Sequence, residues 1–210
     1  MIVGGLTLTG LALRPLEARA WRDTRAAQPA LRVASVNAIA GQGVTLGLLG
    51  GFRAITADFA WLRVYTEWEK HDLPATDALL RLATTLDPRP RYFWLNAARI
   101  TAYDMTAWRI VAAGGYDAVP EAEQHRLGRE QGRLALRRLD EAMEFHPASA
   151  ELWIERANIQ LNAVRDVAAA AECYRRAWEQ PGAPYYAARL HAELLRRAGR
   201  KPEALAWLVA

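Results

Sequence analysis

Two stretches decide the fold: Ala135-Leu136-Arg137-Arg138-Leu139-Asp140-Glu141-Ala142, running on to Pro147, and Ala169-Ala170-Ala171-Glu172-Cys173-Tyr174-Arg175-Arg176-Ala177, running on to Pro181. The two prolines stand 34 residues apart. In each stretch small residues sit where two helices must approach closely, larger apolar ones follow about a turn later, and a proline closes the unit. A helix-turn-helix unit of this period cannot bury its apolar face alone and has to stack on a neighbour. The expectation is a stacked helical scaffold rather than a closed enzyme core.

Working outward, Ser149 is placed to cap a helix over Ala150 to Ala163, with Glu151 favourable at its positive end. A return helix spans Asp166 to Gln180, and Pro181-Gly182-Ala183-Pro184 is a turn. A further forward helix runs from Tyr185 to Ala198, with Gly199 as its stop. A last return helix begins at Pro202. Upstream, a charged helix covers Glu121 to Phe145, with an apolar stripe at Leu127, Leu134, Leu136, Leu139 and Met143.

The first repeat is read in residues 54–87. Phe59, Leu62, Tyr65 and Trp68 recur every three residues, and Trp61 and Val64 widen that apolar face. Pro74 suits the first turn of the next helix, which Asp87-Pro88 ends. Arg91 to Tyr103 forms the next forward helix. From Pro88 to Pro147 the interval is 59 residues against 34, an excess of 25. Residues 104–120 are therefore expected as an irregular insertion. Long insertions in a compact array are usually functional or disordered. The apolar Met105, Trp108, Ile110, Val111 and Tyr116 argue against disorder. They are expected to plug a groove or dock a partner, or else to fold back over a local gap. No strand-like alternation occurs anywhere.

The chain has 210 residues, half of them apolar, which allows a sizeable core. Its formal charge is +4, from 27 basic and 23 acidic residues, and only Lys70 and Lys201 are lysine. The arginines are interleaved with acids rather than gathered into a stripe, so no nucleic-acid partner is expected. Cys173 is the sole cysteine, which rules out an internal disulfide.

Residues 1–22 form a hydrophobic N-terminal segment. Met1 to Leu13 carries no charge, and Arg14, Arg19, Arg22 and Arg25 follow. Thirteen residues fall short of the ~20 a spanning helix needs. The segment reads as the distal part of a membrane anchor, as a signal segment with Ala18-Arg19-Ala20 for cleavage, or as a buried helix. The anchor is the favoured expectation. The start of the chain and its end in mid-helix at Ala210 suggest more sequence on both sides. Residues 23–50 read as linker and glycine-rich lead-in. Gly43, Gly47 and Gly51 share a helical face, a spacing that lets helices touch in a bilayer. Arg53 and Asp58 limit the uncharged run around them, which leaves a glycine-rich loop as the other reading. Residues 51–210 form the repeat domain.

These residues resemble the tetratricopeptide repeat family, best in Leu134 to Pro181 and more weakly in residues 54–87 and 185–209. Trp153 stands where that family often has its first-helix tryptophan, while its usual Leu-Gly pair is absent. The resemblance covers roughly three-quarters of the chain. It implies an all-α, right-handed α-solenoid of helix pairs whose concave groove binds peptides or proteins. The run from Gly50 to Arg63, with Asp87-Pro88-Arg89 and Tyr92-Phe93-Trp94, is also similar to uncharacterised bacterial envelope proteins that carry a hydrophobic helix before such repeats. That implies a membrane-anchored protein of the bacterial envelope, with its repeats outside the cytoplasm; a cytoplasmic chain is the alternative.

His71, His125, His146 and His191 lie far apart without ligand spacing, so surface or capping roles are expected and no metal. Asp140, Glu141 and Glu144, with Arg137 and Arg138, are expected to form a solvated face. No nucleophile motif or dinucleotide fingerprint occurs. A non-enzymatic chain without cofactor is expected. Trp61, Tyr65 and Trp68 on one helix and Tyr92, Phe93 and Trp94 on the next could line a groove, but most aromatics are expected in the core. Arg89, Arg91, Asn96 and Arg99 are the groove candidates, because arginine can clamp a carboxylate with two hydrogen bonds. Asn158 and Asn162 are i,i+4 partners on the next wall. Met105, Trp108 and Tyr116 complete the partner-binding set. The expected role is an adaptor or assembly subunit that binds proteins or peptides. The alternatives are a structural subunit of a larger membrane complex or filament, or the regulatory domain of an enzyme.

Overall fold

The computed structural model describes residues 52–209. Among them there are eight continuous helices and no strand, so the protein is all-α over this range. The anchor, the linker and the glycines Gly43, Gly47 and Gly51 lie outside the described residues.

Helix α1 spans Arg53–Glu69 and α2 spans Leu73–Leu86. Asp72 caps α2 by accepting a hydrogen bond from the Ala75 N–H at 3.0 Å, and Pro74 sits in its first turn. Asp87-Pro88 ends it as expected. The Pro88 carbonyl, lost to the helix, accepts the Trp94 indole N–H at 2.8 Å and lies 3.1 Å from His146 Nε2.

Helix α3 comprises Arg91–Arg99, a π-helical turn at Ile100–Asp104, and Met105–Ala112. Helix α4 is Glu121–Phe145. The expected irregular insertion is thus largely helical. It lengthens both members of the second pair, and only residues 113–120 form the turn. No helix breaker stands between Tyr103 and Gly114, and Met105 and Ile110 are buried, so the chain keeps its helix and packs on α4. Gly114 and Gly115 take the left-handed φ values of 118° and 90° that reverse the chain. Gln124 holds the turn by donating to the Tyr116 and Val119 carbonyls at 2.9 and 2.8 Å.

Helix α5 comprises Ala150–Ile159 and a second π-helical turn, Gln160–Val164. Then come α6 (Val167–Trp178), α7 (Tyr185–Arg197) and α8 (Lys201–Val209). Ser149 and Asp166 cap α5 and α6 with their side chains. Gly199, at φ 78°, stops α7.

Each helix packs on the next in sequence. Small residues set the closest approaches. Ala135, Leu139 and Ala142 of α4 and Ala170, Tyr174 and Ala177 of α6 are buried, with an offset of 35 residues. Helices α5 and α7 begin at Ala150 and Tyr185 with that same offset. The proline spacing of 34 is one short, because Pro147 and Pro181 stand in the turns and not in the helices.

Three expectations about faces are overturned. On α1 the buried side is Ala57, Ala60, Trp61 and Val64, while Phe59, Leu62, Tyr65 and Trp68 are exposed. The three-residue spacing drifts around the helix, so it does not mark the side that meets α2. The aromatics are mostly outside the core: Trp61, Phe93, Trp94 and Tyr174 are buried, whereas Tyr92, Tyr103, Tyr116, Trp178, Tyr185 and Tyr186 are exposed. Arg138 belongs to no solvated face. It is buried, and burial pulls its pKa down against the charge of Asp77, with which it pairs across to α2.

Candidate functional site

The forward helices α1, α3, α5 and α7 bring their polar and aromatic side chains into one connected row. On α3, Tyr92, Asn96, Arg99 and Tyr103 recur at spacings of four, three and four, which is one helical face. The Tyr92 hydroxyl lies 2.7 Å from that of Tyr65 on α1. Arg99 reaches α5, where Nε and Nη2 donate to Glu155 Oε2 at 2.9 and 2.7 Å. Arg91 pairs more loosely with Glu151 at 3.5 Å. Tyr103 lies beside Asn162, which partly offsets the rise in the phenol's pKa. On α5, Asn158 accepts from the Tyr174 hydroxyl of α6 at 2.6 Å. Tyr174 in turn lies close enough to Tyr186 of α7 to feel its charge.

The electrostatics follow from these contacts. The hydrogen bond to Glu155 raises the Arg99 pKa, so the guanidinium stays charged. Burial, and then the Glu155 charge, raises that of Tyr103. Burial pushes Tyr174 up to about 12. The row therefore presents neutral phenols, amides and one compensated ion pair at neutral pH. It suits hydrogen bonding to a polar backbone better than capture of a bare anion.

The row leads into a cavity of about 550 Å³ built by the lengthened second pair and the end of α5. It is lined by Tyr103 of α3, Tyr116 of the turn, His125 and Gly128 of α4, and Asn162, Ala163 and Arg165 at the end of α5. Both π-helical turns border it. Such turns are frequent at functional sites. Arg165 closes the second one in the left-handed region at φ 65°, an uncommon conformation for a residue with a side chain. Beyond Tyr186 a larger open groove of about 990 Å³ runs between α7 and α8, with apolar Leu190, Leu205 and Leu208 along it.

Of the residues singled out from sequence, Asn96, Arg99, Asn158 and Asn162 stand in the row, and Tyr116 lines the cavity. Arg91 lies at its edge. Arg89 is turned to its own loop: it binds Asp87 through Nε at 2.7 Å and Nη2 at 2.9 Å. Burial would raise the Asp87 carboxyl, but those bonds hold it below the usual range. None of the three arginines is left without a carboxylate, so none offers a free clamp. Asn96 donates to the Tyr92 carbonyl at 2.9 Å. Met105 is buried and is part of the core rather than a contact surface. Trp108 stacks on His71 at 5.2 Å and meets Trp68 edge-on at 6.3 Å.

Sequence reasoning weighed Tyr65 and Tyr92 as groove-lining residues while favouring the core for most aromatics, and it missed Tyr103 and Tyr186. The signal was the helical spacing from Tyr92 to Tyr103, obscured by assigning aromatics to the core. His191 was expected in a surface or capping role. It is buried, with Nδ1 2.7 Å from the Ala171 carbonyl and its ring against Trp207. Cys173 is buried, and burial raises its thiol pKa. Among the described residues no group of His, Cys, Asp or Glu is arranged to hold a metal ion, and no helix is long and apolar enough to cross a membrane.

Fold and site define an all-helical protein with a polar-aromatic row leading to a cavity. No family model matches the chain, and neither does any curated protein.

Proposed function

We propose that the protein is a non-enzymatic interaction scaffold that binds an extended segment of a partner protein along the row from Tyr65 to Asn162. The helix pairs are read as tetratricopeptide-like repeats stacked in a right-handed α-solenoid. The 35-residue offset of α5 and α7, repeated by the buried alanines of α4 and α6, supports that reading. One observation carries the functional reading. Tyr65, Tyr92 and Tyr103 are exposed large aromatics on one row, and the Tyr65 and Tyr92 hydroxyls are already oriented by each other. Rigid aromatics with a polar tip supply contact area at low entropic cost and are enriched at binding hot spots. The uncharged N-terminal sequence supports placing this scaffold at a bacterial envelope membrane, as an adaptor or assembly subunit.

A photo-crosslinking amino acid placed at Tyr103, and separately at the outer α4 position Arg137, tests the reading in the native host. The expected result is a discrete adduct from position 103, lost in Asn162→Ala, and none from position 137. Adducts of equal yield from both positions, or none from 103, would overturn it.

A further inference from the structure

Helix α1 is apolar on two opposite sides. Its inner side, with Trp61 and Val64, is buried against α2. On its outer side Phe52, Ile55, Phe59 and Leu62 form a row with exposures of 58, 50, 64 and 60%. Soluble surfaces seldom leave a contiguous row of large apolar side chains in water, and such a row marks an interaction site. Thr66 and Glu69 end the row. Arg63 and Lys70 run along one edge, both bound to Glu67, and Asp58 lies along the other. The edges nearly balance in charge, so the occupant is not selected by electrostatics.

The sequence that feeds into this row names its occupant. Between Arg32 and Arg53 no side chain is charged, a run that extends well beyond the glycines themselves. Its last part, Val44, Leu46, Leu48 and Leu49, leads directly to Phe52, where the exposed row begins. An uncharged apolar segment entering a helix at the end of its apolar face brings that face to the surface the segment enters.

We infer that the outer face of α1 lies flat in the interfacial layer of a lipid bilayer, with Phe52, Ile55, Phe59 and Leu62 among the upper acyl chains. Helices with one apolar face and polar edges bind in that way. The inference rests on the membrane-tethered reading above. It holds the repeats against the membrane through α1. With its edge charges balanced, the contact persists on phosphatidylcholine alone and at high salt.

The test uses the full chain reconstituted in phosphatidylcholine vesicles, with a nitrobenzoxadiazole dye on Ile55→Cys or, as control, on exposed Ala112→Cys. Flotation of the same samples reports the tether. Spin-labelled lipid is expected to quench the dye at 55 several-fold more than at 112, with iodide giving the reverse order. Adding Phe59→Asp and Leu62→Asp, both on the exposed side, removes lipid quenching at 55 while flotation and helical content persist. Flotation with an iodide-quenched dye at 55 overturns the inference and leaves the tether standing. Absence of flotation overturns both. A dye at 55 shielded from both quenchers means that protein covers the face. Concentration-dependent sedimentation would then identify a second copy, and this too overturns the inference.

Discussion

Arg99 on α3 and Glu155 on α5 are joined by two charge-assisted hydrogen bonds of 2.9 and 2.7 Å across 56 residues of sequence. The pair is lopsided: the Glu155 side chain is 3% exposed and that of Arg99 51%. The cost of losing it therefore lies with the carboxylate. Arg99→Ala strands a buried charge and is expected to cost about 2 kcal/mol, below the range for fully buried pairs because water reaches the Arg99 side. Arg99→Met with Glu155→Leu should recover most of that loss. A urea-unfolding double-mutant cycle measures both; a fully additive double variant would mean that the two side chains do not interact.

Gly128 and Gly132 sit one turn apart on α4, and both face Ala163, but they predict opposite outcomes. A Cβ at Gly128 meets the Ala163 carbonyl oxygen at 3.4 Å, an ordinary contact. Gly128→Ala should therefore gain about 0.5–1 kcal/mol from helix propensity. A Cβ at Gly132 falls 3.0 Å from both Ala163 Cβ and Val164 Cγ2, on the π-helical turn. Neither neighbour has a flexible end to move aside. Gly132→Ala should lose about 1 kcal/mol net, as overpacking exceeds the propensity gain. Thermal melts of the two variants, moving in opposite directions, are the readout.

The same region explains what was legible from sequence. Helix ends were, because Asp72, Ser149, Asp166, Gly199 and the prolines act through local chemistry. Which side of a helix is buried was not. On α1 Phe59, Leu62, Tyr65 and Trp68 point outward while Ala57, Ala60, Trp61 and Val64 point inward, so hydrophobicity alone selects the wrong stripe. The lengthened α3–α4 pair was hidden for a different reason. The chain continues α3 through Met105–Ala112 and starts the long α4 at Glu121, so extra turns of helix in both members, with no breaker between Tyr103 and Gly114, looked like an inserted loop. That Asn96 shares a face with Arg99, and Asn158 with Asn162, was legible because helical spacing can be counted. Their true partners, such as Glu155 and Tyr174, are long-range and cannot.

Acid should weaken α6 through Glu172. Hydrogen bonds from Arg175, then from Arg176, hold this carboxyl at about 2, below its ordinary 4.5. The charged form is favoured in the native state, so this contribution is complete above pH 4.5 and is lost as the pH falls toward 2. The group is largely exposed, and the effect is under about 1 kcal/mol at low salt. Glu172→Gln should lower stability by that amount at neutral pH and flatten the acid arm of a stability–pH curve, so that the two curves meet near pH 2. An unaltered acid arm would show that these surface pairs contribute nothing measurable.

Trp108 was read either as a groove or partner contact or as part of a segment folded back over a local gap. Its ring covers His71, held in the left-handed region at φ 56° at the α1–α2 turn, and touches Trp68. It thereby fastens the lengthened second pair to the first. Trp108→Ala removes both ring contacts and opens a partly buried gap, at an expected cost of about 2–3 kcal/mol, below the range for a full core position. Trp108→Phe keeps a stackable ring and should cost about 1 kcal/mol. Hydrogen exchange localises the effect: protection should fall in the α1–α2 turn and in residues 105–112, and not in α6 or α7. If instead Trp108→Ala keeps full stability and protection while the position-103 adduct disappears, the tryptophan is a docking residue and the fastening role is wrong.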